Sequence, residues 1–336
     1  MTSEGPQLSS PHPHGQDLLV VEDLSIKFNP SRVTPPVVRG IDLHLEEKEI
    51  VGVVGESGAG KTVTALGVLG LLPPLPSCEV KGRVLYKGKN LLELPPEEMR
   101  RLRGRHISMV FQDPKASLNP VFRVGDQIAE MIRFHQGVGR MEAAKRAEEA
   151  LFAVGVRSPK QRARQFPHEL SLGLNQRALI AMALACSPAV LLADEPTSAL
   201  DATTETRILD LLSQKKEELG MGVVLITHDL RVMERLCTRA AVLYSGEIVE
   251  EAEAKDLLDH PAHPYTHALV QSLPSSPGPL TSIKGDPPDP SSRPPGCVYE
   301  PRCPKSQKRC RQERPLLRTL KESSRRRVRC HFPLDS

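Results

Sequence analysis

Residues 55 to 62 read GESGAGKT, that is Gly55, Glu56, Ser57, Gly58, Ala59, Gly60, Lys61 and Thr62, which fits the spacing G-x-x-x-x-G-K-[ST]. Glycines so placed let backbone N–H groups curl around phosphate oxygens, the lysine reaches β- and γ-phosphates, and the Thr62 hydroxyl can bind Mg²⁺. Farther on, an apolar run ending at Ala193 leads into Asp194 and Glu195, within LLADEPTSALD. A carboxylate at the end of a buried strand beside a phosphate loop is placed to hold Mg²⁺ through water, and the next one can orient or deprotonate an attacking water. A third apolar run, VVLIT, ends at His228 and Asp229, where a histidine beside a carboxylate can sense a γ-phosphate. Each feature also has a plainer reading: a glycine-rich turn, a helix N-cap, a structural histidine. The phosphate loop gives the other two their catalytic sense.

These groups need a frame. IVGVV (Ile50 to Val54) reads as a buried strand feeding the glycines, and a helical run follows from Lys61. AVLLA (Ala189 to Ala193) and GVVLIT (Gly222 to Thr227) read as two more buried strands, each ending in polar residues. Strand C-terminal ends are where open α/β sheets place ligands. Alternating stretches at Leu18 to Phe28 and Gly40 to Leu45 predict antiparallel strands, and Lys81 to Leu91 a hairpin. Val124 to Ala185 is mostly helix-like, MEAAKRAEEALFAVG most plainly, and predicts a helical insertion within an α/β frame.

The chain has 336 residues, enough for one large domain or two ordinary ones. Aromatic content is 3% with no tryptophan, which suits a core of small residues. Of the formal net charge of +4, residues 285 to 336 account for +7, with 13 Lys and Arg against 6 Asp and Glu. A nucleic-acid role would have to rest on that tail, and no aromatic-rich binding pattern accompanies it. The polar, proline-dotted opening, residues 1 to 16, is expected to be disordered and lacks the order of a secretory signal. The longest near-apolar run, Ala178 to Ala193, is interrupted by Ser187 and Pro188 and falls short of the roughly 20 residues of a membrane span. The expectation is a soluble, intracellular chain. Eight prolines between Pro274 and Pro295 predict an extended linker before a cysteine-bearing tail.

Taken in order, GESGAGKT, MVFQDPKASLNP, LSLGLNQR, LLADEPTSALD and LITHD resemble the ATPase subunit of an ABC transporter, over about Leu18 to Glu250. FQDPKASLNP, HPYTHALVQSLP and the tail GCVYEPRCPKSQKRC with VRCH resemble, more narrowly, the ATPase subunits of oligopeptide, dipeptide and nickel importers. The resemblance implies a P-loop ABC ATPase cassette of α/β class, residues 17 to 250. It would carry an antiparallel β-subdomain and an inserted helical subdomain at about 114 to 185. A C-terminal helical region would follow at 251 to 273, the proline-rich linker at 274 to 296 and the cysteine extension at 297 to 336.

It also implies ATP and Mg²⁺ as cofactors. Lys61, Gln112, Glu195 and His228 would be catalytic, with Gln112 the Q-loop residue and His228 the switch histidine. The phosphate loop, Thr64, Phe28 as an adenine-stacking or core aromatic, Ser171, Gly173 and the D-loop Asp201 would contact nucleotide. Thr62, Gln112 and Asp194 would face Mg²⁺. The implied partners are a second ATPase subunit in a heterodimer, two integral membrane permease subunits and, indirectly, an extracytoplasmic substrate-binding protein, with no nucleic acid. The implied place is the cytoplasmic face of the inner membrane, held peripherally.

Two features depart from plain expectation. In the resembled family the helix-start motif is usually Leu-Ser-Gly-Gly and meets ATP on the opposite subunit, but here Leu172 stands at the first glycine, between Ser171 and Gly173. Leucine admits fewer backbone conformations and adds a side chain where phosphate approaches, so two unequal ATP sites are expected. The tail holds Cys297, Cys303, Cys310 and Cys330. Four thiolates there could bind a [4Fe-4S] cluster or Zn²⁺, or stay reduced and unliganded. The spacing lacks paired C-x-x-C, and the resemblance favours iron–sulfur. Nearby arginines, Arg325 to Arg327 and Arg329, would offset a thiolate cluster's charge or form a solvated face.

Overall fold

The computed structural model describes residues 17–32, 34–198, 200–273, 282–290, 292–320 and 326–334. The opening segment expected to be disordered and the first half of the proline-rich stretch lie outside them, as does Arg325. In chain order the strands are β1 (Asp17–Phe28), β2 (Val38–Glu46), β3 (Ile50–Val54), β4 (Cys78–Tyr86), β5 (Lys89–Asn90), β6 (Ile107–Val110), β7 (Val190–Asp194), β8 (Gly222–Thr227), β9 (Arg239–Tyr244), β10 (Glu247–Glu253), β11 (Arg318–Thr319) and β12 (Arg327–Val328).

They form two sheets. The smaller is antiparallel in the order β2-β1-β4-β5, and the larger runs β11-β12-β10-β9-β3-β8-β7-β6. Strands β3, β6, β7 and β8 are buried along their whole length. That is why they read as apolar runs without alternation, the mark of parallel strands covered on both faces. Their pairing is parallel, with Val54 opposite Thr227 and Ile226 opposite Asp194. One sheet edge therefore gathers the residues that follow β3, β7 and β8. On one face of the large sheet, Val51, Val53, Leu192 and Val224 pack with β1, β2 and the helix Lys61–Val68. On the other, Leu191, Val223 and Leu225 pack with the helices Val124–Gln136, Arg140–Ala153 and Leu172–Leu184.

The tail is built into the same sheet. Strand β12 pairs antiparallel with β10, setting Val328 opposite Glu250 and Arg327 opposite Glu251. Strand β10, EIVEEAE, buries three carboxylates, Glu247, Glu250 and Glu251. Glu250 accepts from the N–H groups of Ala262 and His263, both at 2.8 Å, and from Arg326 Nη2 at 3.0 Å. Glu251 is paired with Arg239 at 2.9 Å and with Arg327. Glu247 has Arg314 at 2.9 Å, Arg39 at 3.5 Å and Arg329 at 3.7 Å. Arg326, Arg327 and Arg329 thus correct both expectations for them: they neither form a solvated face nor line the thiol cavity, but neutralise buried acids. The described part of the proline-rich stretch has no helix or strand, yet it is tied down, because Arg293 donates to the carbonyls of Pro36 at 2.6 Å and Val37 at 2.8 Å.

Removing one member of a buried ion pair leaves an uncompensated charge and costs about 3–5 kcal/mol, whereas exposed pairs are worth about 1 kcal/mol or less. Arg326→Ala is therefore expected to lose several kcal/mol in urea denaturation. Arg309→Ala, which breaks the exposed 2.8 Å pair with Glu313, should leave the midpoint nearly unchanged.

Candidate active site

The phosphate loop springs from the end of β3. At Gly55 a Cβ would lie 2.1 Å from the Leu243 carbonyl oxygen of β9, so only glycine lets the loop pass the neighbouring strand. Gly60, at φ +104, turns the chain into the helix Lys61–Val68. Ser57 and Gly58 are exposed at the loop's crest. Lys61 is 6% exposed and folds back on its own loop, its Nζ donating to the Gly55 carbonyl at 2.7 Å and the Glu56 carbonyl at 3.0 Å. Burial lowers its pKa, and the Glu195, Asp194 and Glu56 carboxylates oppose that. An incoming phosphate would exchange with those two carbonyls for the same ammonium. Thr64 takes no such part, since its hydroxyl donates to the Gly60 carbonyl at 2.8 Å.

Asp194 ends β7 at 1% exposure, and among the described residues neither of its carboxylate oxygens has a well-formed hydrogen bond, the Thr62 hydroxyl alone lying beside them as a weak donor. Burial raises its pKa, which the adjacent Thr62 hydroxyl and Lys61 counteract. Unsatisfied buried carboxylate oxygens are rare and costly. A hydrated divalent cation is what such a group fits, and Mg²⁺ in phosphate-loop sites needs one Ser or Thr hydroxyl and one carboxylate besides water and phosphate. Thr62 and Asp194 supply these. Gln112 donates its amide N–H to Glu195 Oε2 at 2.9 Å, which leaves its carbonyl oxygen, the atom a cation would use, outside that bond.

Glu195 stands at the centre of a second group. Its other oxygen lies 3.1 Å from His228 Nδ1, so Gln112, Glu195 and His228 form one chain of contacts across the ends of β6, β7 and β8. Glu195 itself has φ +44, a left-handed conformation uncommon for a non-glycine residue and often held where function needs it. Its N–H donates to the Ile226 carbonyl at 2.9 Å, which pins it across the strand pair.

The structure keeps the remaining site residues apart from these. Ser171 caps the helix Leu172–Leu184, accepting from the Leu174 N–H at 3.3 Å. Asp201 caps the helix Ala202–Leu219, accepting from the N–H groups of Thr203 and Thr204. The two helix starts approach each other, since a Cβ on Gly173 would lie 3.2 Å from Thr204 Cγ2. Among the described residues no hydrogen bond or ion pair joins Ser171 or Asp201 to the phosphate loop. Leu172 occupies the first helical position without positive φ, so the backbone argument against leucine falls and only its half-buried side chain bears on phosphate approach. Phe28 is half-buried against the core at the end of β1.

The four tail cysteines are free thiols lining one water-sized cavity together with His263 and Tyr299. Burial pushes Cys297 up to about 12 and Cys330 to about 11. Among the described residues no three His, Cys, Asp or Glu side chains stand close enough to hold a metal ion. The described residues thus lend no support of their own to either metal expectation for these thiols, the iron–sulfur cluster or Zn²⁺.

Sequence reasoning passed over Arg302 and Tyr265, which both reach Glu56 of the phosphate loop, with Arg302 Nη1 2.7 Å from the Glu56 carboxylate and Tyr265 Oη 2.9 Å from the Glu56 nitrogen. The Tyr265 turn is set by His263, whose Nδ1 accepts from the Tyr265 N–H at 3.0 Å and whose pKa burial lowers to about 3, keeping it neutral. The only sequence signal was the HPY run itself.

Residues 38–198 match the family described as ABC transporter, and residues 249–310 match the oligopeptide/dipeptide transporter C-terminal region. A probable peptide ABC transporter ATP-binding protein, y4tR of Sinorhizobium fredii, is 46% identical over 91% of this chain and 92% of its own length. The dipeptide transport ATP-binding protein DppD of Escherichia coli is 40% identical over 95% of this chain and 97% of its own. Among solved structures, the dimeric post-hydrolysis state of the ATP-binding cassette MJ0796, bound to ADP and Pi, is 29% identical with a TM-score of 0.62, covering 70% of this chain and 98% of that one. With both family regions matched and such identity along nearly its whole length, the chain belongs to the ATP-binding subunits of the oligopeptide/dipeptide ABC transporter family.

Proposed function

We propose that this chain is the ATP-hydrolysing subunit of a peptide importer. The observation that carries the reading is the Gln112–Glu195–His228 chain beside the phosphate loop and the unsatisfied Asp194. The loop's N–H groups and Lys61 bind the phosphates. Glu195, held on both oxygens, aligns a water in line with the γ-phosphate and receives its proton. His228, 62% exposed at its side chain, faces outward, where it can follow the presence of the γ-phosphate. When bound, Mg²⁺ at Thr62 and Asp194 neutralises charge developing on the phosphates.

The partners we assign are a second ATPase subunit, two membrane permease subunits at the cytoplasmic face of the inner membrane, and an extracytoplasmic binding protein acting through them. Two things support this. Relatives are described as peptide, dipeptide and oligopeptide transport proteins. Val121 and Phe122, just after the Gln112 segment, are 70% and 55% exposed, an apolar pair that suits a permease contact. Arg326, Arg327 and Arg329 are engaged by buried acids, which withdraws these three from any nucleic-acid surface. The tail cysteines we assign to a [4Fe-4S] cluster, on the ground that four thiols line one cavity. Iron and acid-labile sulfide at a few equivalents in anaerobically purified protein is the expected result, and their absence overturns the assignment.

In the assembled transporter, Glu195→Gln should lower ATP turnover by a factor of about 10²–10⁴. Leu172→Gly acts on the partner's ATP and should change turnover only if that second site is held back by the leucine. Loss of turnover in every form, wild type included, would leave a non-hydrolysing regulator. Asp194 offers a separate check. Its folded-state pKa lies above the unfolded value, so its charge weakens the nucleotide-free fold at neutral pH and the penalty vanishes as pH falls below about 4. Asp194→Asn should therefore raise the nucleotide-free Tm at pH 7 and not at pH 4. It should also abolish the extra stabilisation that Mg²⁺ adds to ATP in the same melting experiment.

A further inference from the structure

Glu56, the second residue of the phosphate loop, is held at three points. Its N–H donates to Tyr265 Oη at 2.9 Å. Its carboxylate accepts a fork from Arg302, Nη1 at 2.7 Å and Nη2 at 3.1 Å. Its carbonyl accepts from Lys61 Nζ at 3.0 Å. Two of the three ties thus come from the C-terminal region, 209 and 246 residues along the chain.

Both ties are rigid. The Arg302 side chain is 3% exposed, and its Nε also donates to the Lys284 carbonyl at 3.0 Å. It ends the short 3₁₀ turn Glu300–Arg302, which lies between Cys297 and Cys303. Tyr265 packs against Tyr244 and Tyr299, with ring centroids 4.4 and 5.4 Å apart. Nor is the pair with Glu56 needed to dock the tail, which Arg326, Arg327 and Arg329 fasten to β10 independently.

Lys61 is satisfied by the loop's own carbonyls, and when it turns to a phosphate the loop loses those two bonds. We propose that Arg302 is a positioning residue for this chain's phosphate loop: with Tyr265 it holds Glu56 so that the loop keeps its anion-binding shape once Lys61 has left. A bidentate pair whose arginine is buried fixes direction as well as distance, and a site populated only partly in its competent shape binds in proportion to that population. The C-terminal segment thereby becomes part of the ATP site. This rests on the reading of the loop as an ATP site.

The test uses the full chain, titrated with a fluorescent ATP analogue and Mg²⁺ and melted without nucleotide. Arg302→Gln should raise the Kd about tenfold and Tyr265→Phe severalfold, measured well below each variant's melting temperature, with the nucleotide-free Tm of Tyr265→Phe close to wild type and that of Arg302→Gln lowered by the broken ion pair. Arg302→Lys should recover part of the affinity. Adding Glu56→Gln to Arg302→Gln should cost nothing more, because the two act as one pair. Unchanged affinity in both single variants, fully additive losses, or a Tyr265→Phe loss that merely tracks a falling Tm would overturn the clamp. A wild-type chain that fails to bind the analogue would instead sink the ATP site itself. Should Arg302→Gln not fold, Tyr265→Phe decides alone, since it removes one hydroxyl and leaves the ring packing.

Discussion

A carboxylate taken out of water must find donors or a cation, and the molecule is arranged around meeting that demand in two ways. On β10 the chain meets it alone, with tail arginines and backbone N–H groups brought to Glu247, Glu250 and Glu251. At the end of β7 it does not, and among the described residues Asp194 keeps two oxygens without a well-formed hydrogen bond. The first arrangement stabilises the fold and the second holds binding free energy in reserve for a ligand. Both lie on one sheet, so the strand order that buries the acids also sets the ligand edge.

That edge works because parallel strands end together. With Val54 opposite Thr227 and Asp194 opposite Ile226, one residue short of them, the phosphate loop, Glu195 and His228 are neighbours without any long side chain having to reach. Glu195 then needs only orientation. Its left-handed backbone, its N–H bond to Ile226, and the contacts from Gln112 and His228 fix it on every side. Such preorganisation is what lets a single carboxylate align water without reorganising at the moment of reaction.

How much of this was legible follows from range. The phosphate loop, β3 and β8 could be read to the residue, because glycine spacing and unbroken apolar runs are local signals. The hairpin and the helical insertion were legible for the same reason. Strand β10 was not, since EIVEEAE looks like a solvated segment until arginines some 76 residues later are paired with it. The same blindness turned the basic tail into a candidate surface. At Leu172 the sequence argument failed differently: it assumed a glycine-like backbone where the residue is simply the first of a helix.

What remains of the leucine argument concerns the half-buried side chain alone. Ser171 and Asp201 do their local work as helix caps, and the two helix starts they cap lie against each other. Free N–H groups at such a start attract anions from outside. On the proposed function the chain would divide its nucleotide chemistry over two places: a phosphate loop braced by its own C-terminal region through Glu56, and a helix start, carrying Leu172, offered to a second subunit. A subunit so built is asymmetric in what it gives and what it takes. Its own site is completed from within by Arg302 and Tyr265, and what it offers a partner is decided by Leu172.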